Sequence, residues 1–373
     1  MRVRTGWPFK VAVAGVLLLL LAASVGMLVF TLLQPGTGED PSNARLSVTL
    51  VTQKEVQTCA YKVYGDDSQP YWVAKTILKN TGKVPVRNLV IRYKVGDYSE
   101  WNQGDPYPVV LPGQTVRDFC WPVFKAEMMD RVTTKTPVEL TMTYDYRGLD
   151  KPVEHHNKLY LLGKNDFISS TIADEEQIEE RSGEGAAPVT YYEWKNNYKF
   201  IAAFVTPNDE TTKSFAELAT GGLAPNASDE EAREALERIF DTMRVHGVRY
   251  VHEPANYWSS KFGQYVQYPN ETINRKAGTC LDLAVCVAGM TSALGLESYV
   301  VFVPGHAFPM IELPDSGDWL PIESTIVDDI EMIVPASYAI RSAVKTFNEN
   351  KEKGYILPVH LQYCWKNGIM PPR

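Results

Sequence analysis

The chain has no basic stripe. Its 373 residues carry 37 Lys and Arg against 45 Asp and Glu, a formal net charge of -8. After Arg2, Arg4 and Lys10 no segment gathers positive charge as a nucleic-acid-binding surface does, so no nucleic-acid partner is expected. Zinc-ligand spacing, a phosphate-cradling loop and a dinucleotide fingerprint are all absent, and neither a cofactor nor a metal is expected. The adjacent pairs His155-His156 and Asp328-Asp329 do not alter this, because neighbouring side chains in a strand or loop point apart. A composition of 45% apolar and 22% charged residues excludes a disordered or low-complexity chain. Cysteine is scarce as well: Cys59, Cys120, Cys280, Cys286 and Cys364 make an odd count of five. In an oxidising compartment such a count leaves at least one thiol free.

One long apolar run is present. Val11 to Leu33, about 23 residues without a charge, is long enough for a tilted helix to span a bilayer. Basic residues precede it and the next one is Arg45, which places the N-terminus inside and the body outside the cytoplasm. Ala22-Ala23-Ser24 offers a signal-peptide cleavage site, yet the apolar run continues through Met27 to Phe30. An uncleaved single-pass anchor is therefore preferred, because signal h-regions span only about 7–15 residues.

The rest divides into segments by composition. Residues 1–34 are the anchor or signal segment, and 35–45 are a Pro- and Gly-containing spacer. Residues 46–165 contain short β-type runs such as Leu46–Val51, Tyr71–Leu78, Asn88–Tyr93, Val138–Tyr144 and Leu159–Leu162, separated by turn residues. That pattern predicts an antiparallel β-sandwich of immunoglobulin-like type. Residues 166–190, with the acidic run Asp174–Glu184, read as a solvated linker, and 191–373 mix helices with strands. Cys59 and Cys120 lie in strand-like segments, so they either bridge the sheets or remain buried and reduced. Asn226-Ala-Ser and Asn270-Glu-Thr match the glycosylation pattern, although Ser228 also reads as the cap of a helix whose apolar stripe runs from Ala232 to Met243.

Three segments carry the chemistry. Lys276-Ala-Gly-Thr-Cys280-Leu-Asp282 predicts a helix starting at Cys280, capped by Thr279 and Asp282 and ending at Gly295. There the unpaired N–H groups and the helix dipole stabilise a thiolate. Pro304-Gly305-His306-Ala307 opens a strand, and Trp319-Leu-Pro-Ile-Glu323-Ser-Thr325 is expected to form the next one, bringing imidazole and carboxylate together. A thiol needs a basic partner, and that partner needs an orienting acceptor.

Gly278-Thr-Cys280, Gly305-His306-Ala307 and Trp319 to Thr325 resemble, in order and content, the transglutaminase-like superfamily of papain-like cysteine enzymes. The resemblance covers roughly residues 198 to 335, including Phe204-Val-Thr-Pro-Asn-Asp209. It departs from the family at Glu323, where Asp is commoner. It implies an α+β domain and acyl transfer or hydrolysis on a peptide or protein substrate, with Cys280 as nucleophile, His306 as base and acid, and Glu323 as orienting acceptor. Gln264 and Gln267 are the side-chain candidates for oxyanion donor, with Trp258 and the Cys280 N–H beside them. The alternative is a cell-surface binding or scaffold protein that keeps the fold without turnover.

Overall fold

In the computed structural model the described residues are 43–170, 197–252, 263–328 and 334–372. Alternating apolar residues build the first half. The strands are β1 (Leu46–Thr52), β2 (Glu55–Val56), β3 (Ala74–Asn80), β4 (Val86–Val95), β5 (Asn102–Gln103), β6 (Tyr107–Val110), β7 (Thr115–Cys120), β8 (Thr136–Asp145) and β9 (Val153–Leu161). Two sheets result, one ordered β1-β3-β7 and the other β2-β9-β8-β4-β5, with β6 also on β4. All pairings are antiparallel except β2 with β9. In β4 buried and more exposed positions alternate, as a strand with one face on a core requires. The sheets meet through Tyr93 of β4, whose hydroxyl lies 2.8 Å from both Thr76 Oγ1 of β3 and Asp118 Oδ1 of β7. Burial raises the pKa of that Asp118 carboxyl, so the bond also offsets part of its desolvation.

The second half adds β10 (Asp166–Phe167), α1 (Glu210–Thr220), α2 (Asp229–His246), β11 (Arg249–Tyr250), β12 (Gln264–Tyr265), α3 (Pro269–Arg275), β13 (Ala277–Gly278), α4 (Cys280–Ala293), β14 (Ser298–Val303), β15 (His306–Glu312), β16 (Trp319–Pro321), α5 (Ala336–Glu352), β17 (Leu357–His360) and α6 (Leu361–Lys366). A four-stranded antiparallel sheet runs β16-β15-β14-β17. Helix α4 packs on β14, β15, α1, α2 and α3. Twelve of its fourteen residues are buried, the mark of a central helix rather than an amphipathic surface one. At Gly289 an added Cβ would lie 2.9 Å from Pro269 Cγ, so this position sets the close approach of α3 to α4. Helix α2 buries the expected stripe of Ala232, Ala235, Leu236, Ile239, Phe240 and Met243. Ser228 caps it through the Glu231 N–H at 3.2 Å, while the Glu231 carboxylate turns to the Ala224 N–H instead of closing a capping box.

The halves share one hydrophobic cluster, and two further clusters lie within the second half. The cluster that holds Tyr93, Leu140 and Leu159 of the sandwich continues through Phe167, Phe200 and Phe204 to Leu281, Ala284 and Val285 of α4. Polar ties reinforce it: Gln57 exchanges two amide bonds with the Ile168 backbone at 3.0 and 3.1 Å, and Trp365 Nε1 donates to Ala202 O at 2.9 Å. Asp166 and Phe167, assigned to the linker from composition, pair with Tyr265 and Gln264 across β10 and β12 and belong to the folded body.

Other expectations change. The fold is α+β with several β-sheets, and the expected N-terminal transmembrane helix is not supported: among the described residues no helix is long and apolar enough to cross a membrane. Val11–Leu33, the acidic run Asp174–Glu184 and Trp258 lie outside the described residues. Cys59 sits in a 3-10 turn, Thr58–Gly65, rather than on a strand. Cys59 and Cys120 are both buried free thiols, the second of the two states expected for them. Thr272 of the Asn270 glycosylation pattern is fully buried and the Asn270 amide donates to Asp209 Oδ2 at 3.1 Å, so that asparagine serves packing rather than a glycan.

Because the core is continuous, the halves should unfold together. Phe204 is fully buried and its ring contacts Phe167 at 6.0 Å and Tyr268 at 5.4 Å between centroids. Phe204→Ala should cost about 3–5 kcal/mol and shift one common urea transition read by both circular dichroism and tryptophan fluorescence; two separated transitions would contradict a shared core.

Candidate active site

The site is assembled at the start of α4. Thr279 caps the helix, its hydroxyl accepting the Asp282 N–H at 3.3 Å, and Asp282 Oδ2 accepts the Thr279 N–H at 2.9 Å. The predicted box is therefore complete, and Cys280 takes the first helical position, where its own N–H has no acceptor within the helix. Gly278 permits this arrangement: a Cβ there would meet the Asp282 Cβ at 2.8 Å. Asp282 also reaches beyond the helix, its Oδ1 accepting the Gln267 N–H at 2.7 Å and its Oδ2 the Gln267 Nε2 at 3.0 Å. Strand β11 runs parallel to β13, pairing Tyr250 with Gly278, and the Val251 N–H donates to Gly278 O at 2.9 Å.

His306 comes from the neighbouring sheet. Pro304-Gly305 forms the two-residue loop of the β14–β15 hairpin, in which Val303 pairs with His306. Gly305 supplies the positive φ of 73° that the turn needs. No heavy atom lies within 4 Å of a Cβ placed there, so the glycine serves the turn and not a close approach. Strand β16 ends at Pro321, and Glu323 follows as the cap of a 3-10 turn, Ser324–Ile326. This differs from the expected strand position. The turn lets Glu323 Oε1 accept the Thr325 N–H at 3.0 Å and the Thr325 hydroxyl, while Oε2 stays on His306 Nε2 at 2.8 Å.

The three side chains come together at the start of α4. Cys280 stands close enough to His306 to act on its titration, and with Nε2 on the carboxylate, Nδ1 is the nitrogen left to face the thiol. Burial disfavours an imidazolium here, yet the hydrogen bonds to Cys280 and Glu323 and their charges reverse that effect and raise the His306 pKa from 6.5 to about 10. Burial likewise disfavours the Glu323 carboxylate, and the His306 and Thr325 contacts overcome it, holding its pKa below the usual 4.5. The protected pair is an imidazolium–carboxylate ion pair with side chains 24% and 9% exposed; Cys280 itself is 6% exposed. The other thiols differ in kind. Burial pushes those of Cys59, Cys120 and Cys286 up, and that of Cys364 up to about 11.

Gln267 has another role. Both amide hydrogens of Gln267 are engaged, by Asp282 Oδ2 at 3.0 Å and Ala277 O at 3.1 Å, and its Oε1 is buried without a donor. It braces the helix start rather than facing an oxyanion. Gln264 lies in β12 opposite Phe167. Among the candidates the Cys280 N–H keeps the suitable position. Thr325 and Asp282 are the residues whose roles exceed what their motifs announced: the first fixes the carboxylate, the second fixes the helix start to Gln267. Among the described residues no group of three His, Cys, Asp or Glu side chains can hold a metal ion.

No family model and no curated protein matches the chain. Among solved structures it is similar at 11% identity to a FixG-related protein from Vibrio parahaemolyticus, over 31% of this chain and 94% of that one, with a TM-score of 0.20. It is similar at 10% to the CARDB domain of a Pyrococcus furiosus protein, over 32% and 95%, with a TM-score of 0.21. A chaperone and tip adhesion subunit complex of Csu pili from Acinetobacter baumannii aligns at 12% over 37% and 61%, with a TM-score of 0.19. None of the three is a transglutaminase-like structure, and scores this low decide neither fold nor function.

The ion pair has a pH signature. His306 is raised above 6.5, so the stability it contributes is fully present below about pH 6.5 and is lost as pH rises through about 10. Glu323 is lowered from 4.5, so its contribution is present above pH 4.5 and lost as pH falls through its folded-state value. The stability difference between wild type and Glu323→Gln, from urea unfolding, should be largest between those limits and shrink toward pH 10; a difference flat with pH would rule out the pair. In Cys280→Ala the His306 imidazole, followed by NMR, should titrate at lower pH than in wild type.

Proposed function

We propose that the chain is a cysteine-dependent enzyme acting on peptide or amide carbonyls, transferring the acyl group to water or to an amine. The observation that carries this reading is the His306–Glu323 pair, its Nε2 held at 2.8 Å by the carboxylate, set beside Cys280 at the start of α4. The resemblance of the three motifs to transglutaminase-like enzymes agrees with it.

Cys280 attacks the carbonyl carbon as its thiolate, the proton resting on His306, while the carbonyl electron pair moves onto oxygen. The Cys280 N–H, without an intrahelical acceptor, is placed to donate to that oxygen. On collapse the C–N bond breaks, the imidazolium proton passes to the leaving nitrogen and a thioester remains. Acylation removes the thiolate charge and its hydrogen bond, two of the influences that raise the His306 pKa. The imidazole therefore becomes easier to leave neutral when it must act as a base. It then takes a proton from water or an amine, which attacks the thioester and releases Cys280. Throughout, Glu323 keeps the ring oriented, and Thr325 holds Glu323.

Iodoacetamide labelling separates this from a binding or scaffold role. In wild type, Cys280 should be labelled well below pH 7 while the other four buried thiols stay unreactive; in His306→Ala, labelling should be confined to alkaline pH. Against an amide substrate His306→Ala should lower kcat/KM about 10²–10⁴-fold. Labelling that rises only at alkaline pH with or without His306 would favour the scaffold reading.

A further inference from the structure

The β1-β3-β7 sheet has two unlike faces. Inward, Leu46, Val48 and Leu50 of β1 and Leu78 of β3 join the sandwich core, and Asp118 of β7 turns to Tyr93. Side chains alternate along a strand, so β3 sends Lys75, Ile77 and Lys79 outward and β7 sends Arg117 and Phe119. The outward positions of β1 are the uncharged Ser47, Thr49 and Val51. Register places Lys75 between Val51 and Phe119, and Ile77 between Thr49 and Arg117. Three cations and no anion therefore share this face, in a chain whose formal net charge is -8. They are gathered by strand pairing, not by sequence.

Aromatic rings collect at one end of the same face. Between centroids Phe119 lies 5.9 Å from Trp72 and 5.4 Å from Trp121, and the Lys75 ammonium stands 5.7 Å from the Trp72 ring centre. None of these three rings belongs to a hydrophobic cluster of the interior, nor do Val51 and Ile77. Among the described elements no helix packs closely on these strands; beyond their own sheet their close neighbour is β9, in the opposite sheet.

A flat face that carries both cations and half-buried rings calls for a partner that is anionic and apolar at once. An acidic polymer would pair the cations and leave the rings in water. A bilayer surface serves both, because aromatic rings settle at headgroup level and Lys and Arg are drawn to anionic headgroups. The connection of the sheet agrees with this. Twelve residues, 34–45, join β1 to the uncharged apolar run Val11–Leu33, and a segment of that length reaches at most about 40 Å. We propose that the outward face of β1, β3 and β7 docks on a bilayer surface containing anionic phospholipid. Lys75, Lys79 and Arg117 meet headgroup phosphates, and Trp72, Phe119 and Trp121 enter the interfacial layer beside them.

Flotation of the full-length chain with vesicles of phosphatidylcholine, alone or with phosphatidylglycerol, tests the face. The expected result is stronger partition onto the anionic vesicles, with the excess removed by high salt. Each cation contributes about fivefold near such a surface, so Lys75→Gln/Lys79→Gln/Arg117→Gln should lower partition onto anionic vesicles about 100-fold and leave that onto neutral ones unchanged. Lys213→Gln/Lys345→Gln/Lys353→Gln makes the same change in net charge at exposed positions of the second half and should have little effect. The apolar run Val11–Leu33 can bind vesicles by itself, so a positional readout accompanies flotation. Acylation of Lys75 and Lys79 by an N-hydroxysuccinimide ester, read by mass spectrometry, should slow severalfold from neutral to anionic vesicles, while that of Lys213 and Lys345 should not. Unchanged labelling of Lys75 and Lys79, or two triple variants that behave alike, would overturn the proposal. So would a first variant that loses binding to heparin but keeps binding to anionic vesicles, since the partner would then be an acidic polymer.

Discussion

A single buried carboxylate organises the second half. Asp282 is 2% exposed and accepts the N–H groups of Thr279 and Gln267 together with the Gln267 amide. A buried carboxylate is tolerable only when donors replace its lost hydration, and these three donors come from both sides of α3. The strand before α3, the turn after it and the first turn of α4 are thereby fixed to one point. Removing the carboxyl would leave the two buried Gln267 donors and the half-buried Thr279 N–H without this acceptor, and each buried loss costs about 1–3 kcal/mol. The position of Cys280, two residues away, is a consequence of that clamp.

The ion pair beside Cys280 shows how a closed setting can favour charge. Desolvation opposes the ionised form of both His306 and Glu323, and it is the foremost influence on each. What defeats it is geometry rather than exposure: Nε2 to Oε2 at 2.8 Å, with the second carboxylate oxygen held by Thr325. Glutamate carries one more methylene than the Asp usual in the family that the motifs resemble. The 3-10 turn accommodates it, because Glu323 stands at the turn's cap and its oxygens divide between the turn and the imidazole. The departure in sequence is matched by a local structure that suits the longer side chain.

Legibility followed locality. The cap of α4 is written within Thr279 to Asp282, and the hairpin before His306 within Pro304-Gly305, so the start of the helix and the turn were readable from short segments. The β-runs of the sandwich were readable for the same reason, since alternation is a property of neighbours. The run Trp319–Thr325 reads as a strand, but Glu323 caps a turn that its own side chain stabilises, which no periodicity reports. Gln267 read as a donor beside the site, but its partners, Ala277 and Asp282, are fixed only by the fold. Cys59 looked strand-like, yet its segment turns as a 3-10 helix. The cavity lined by Lys164, Asp209 and Glu271 was invisible for the strongest reason: its lining is spread from Met129 to Pro372.

The sandwich is part of the site's support rather than an appendage. Helix α4 is apolar on all sides, so it needs walls on all sides. The four-stranded sheet and helices α1, α2 and α3 supply some of these. Leu281, Ala284 and Val285 instead join the core that begins with Tyr93 and Leu140 between the two sheets. Leu281 follows Cys280 directly, so the apolar surface that seats the first turn of α4 is continuous with the sandwich interior. Packed interiors transmit displacement because they hold few voids. A loss of volume deep in the sandwich therefore acts on the first turn of α4 through Phe204 and Leu281, and the spacing of thiol and imidazole depends on a core built largely from the other half of the chain.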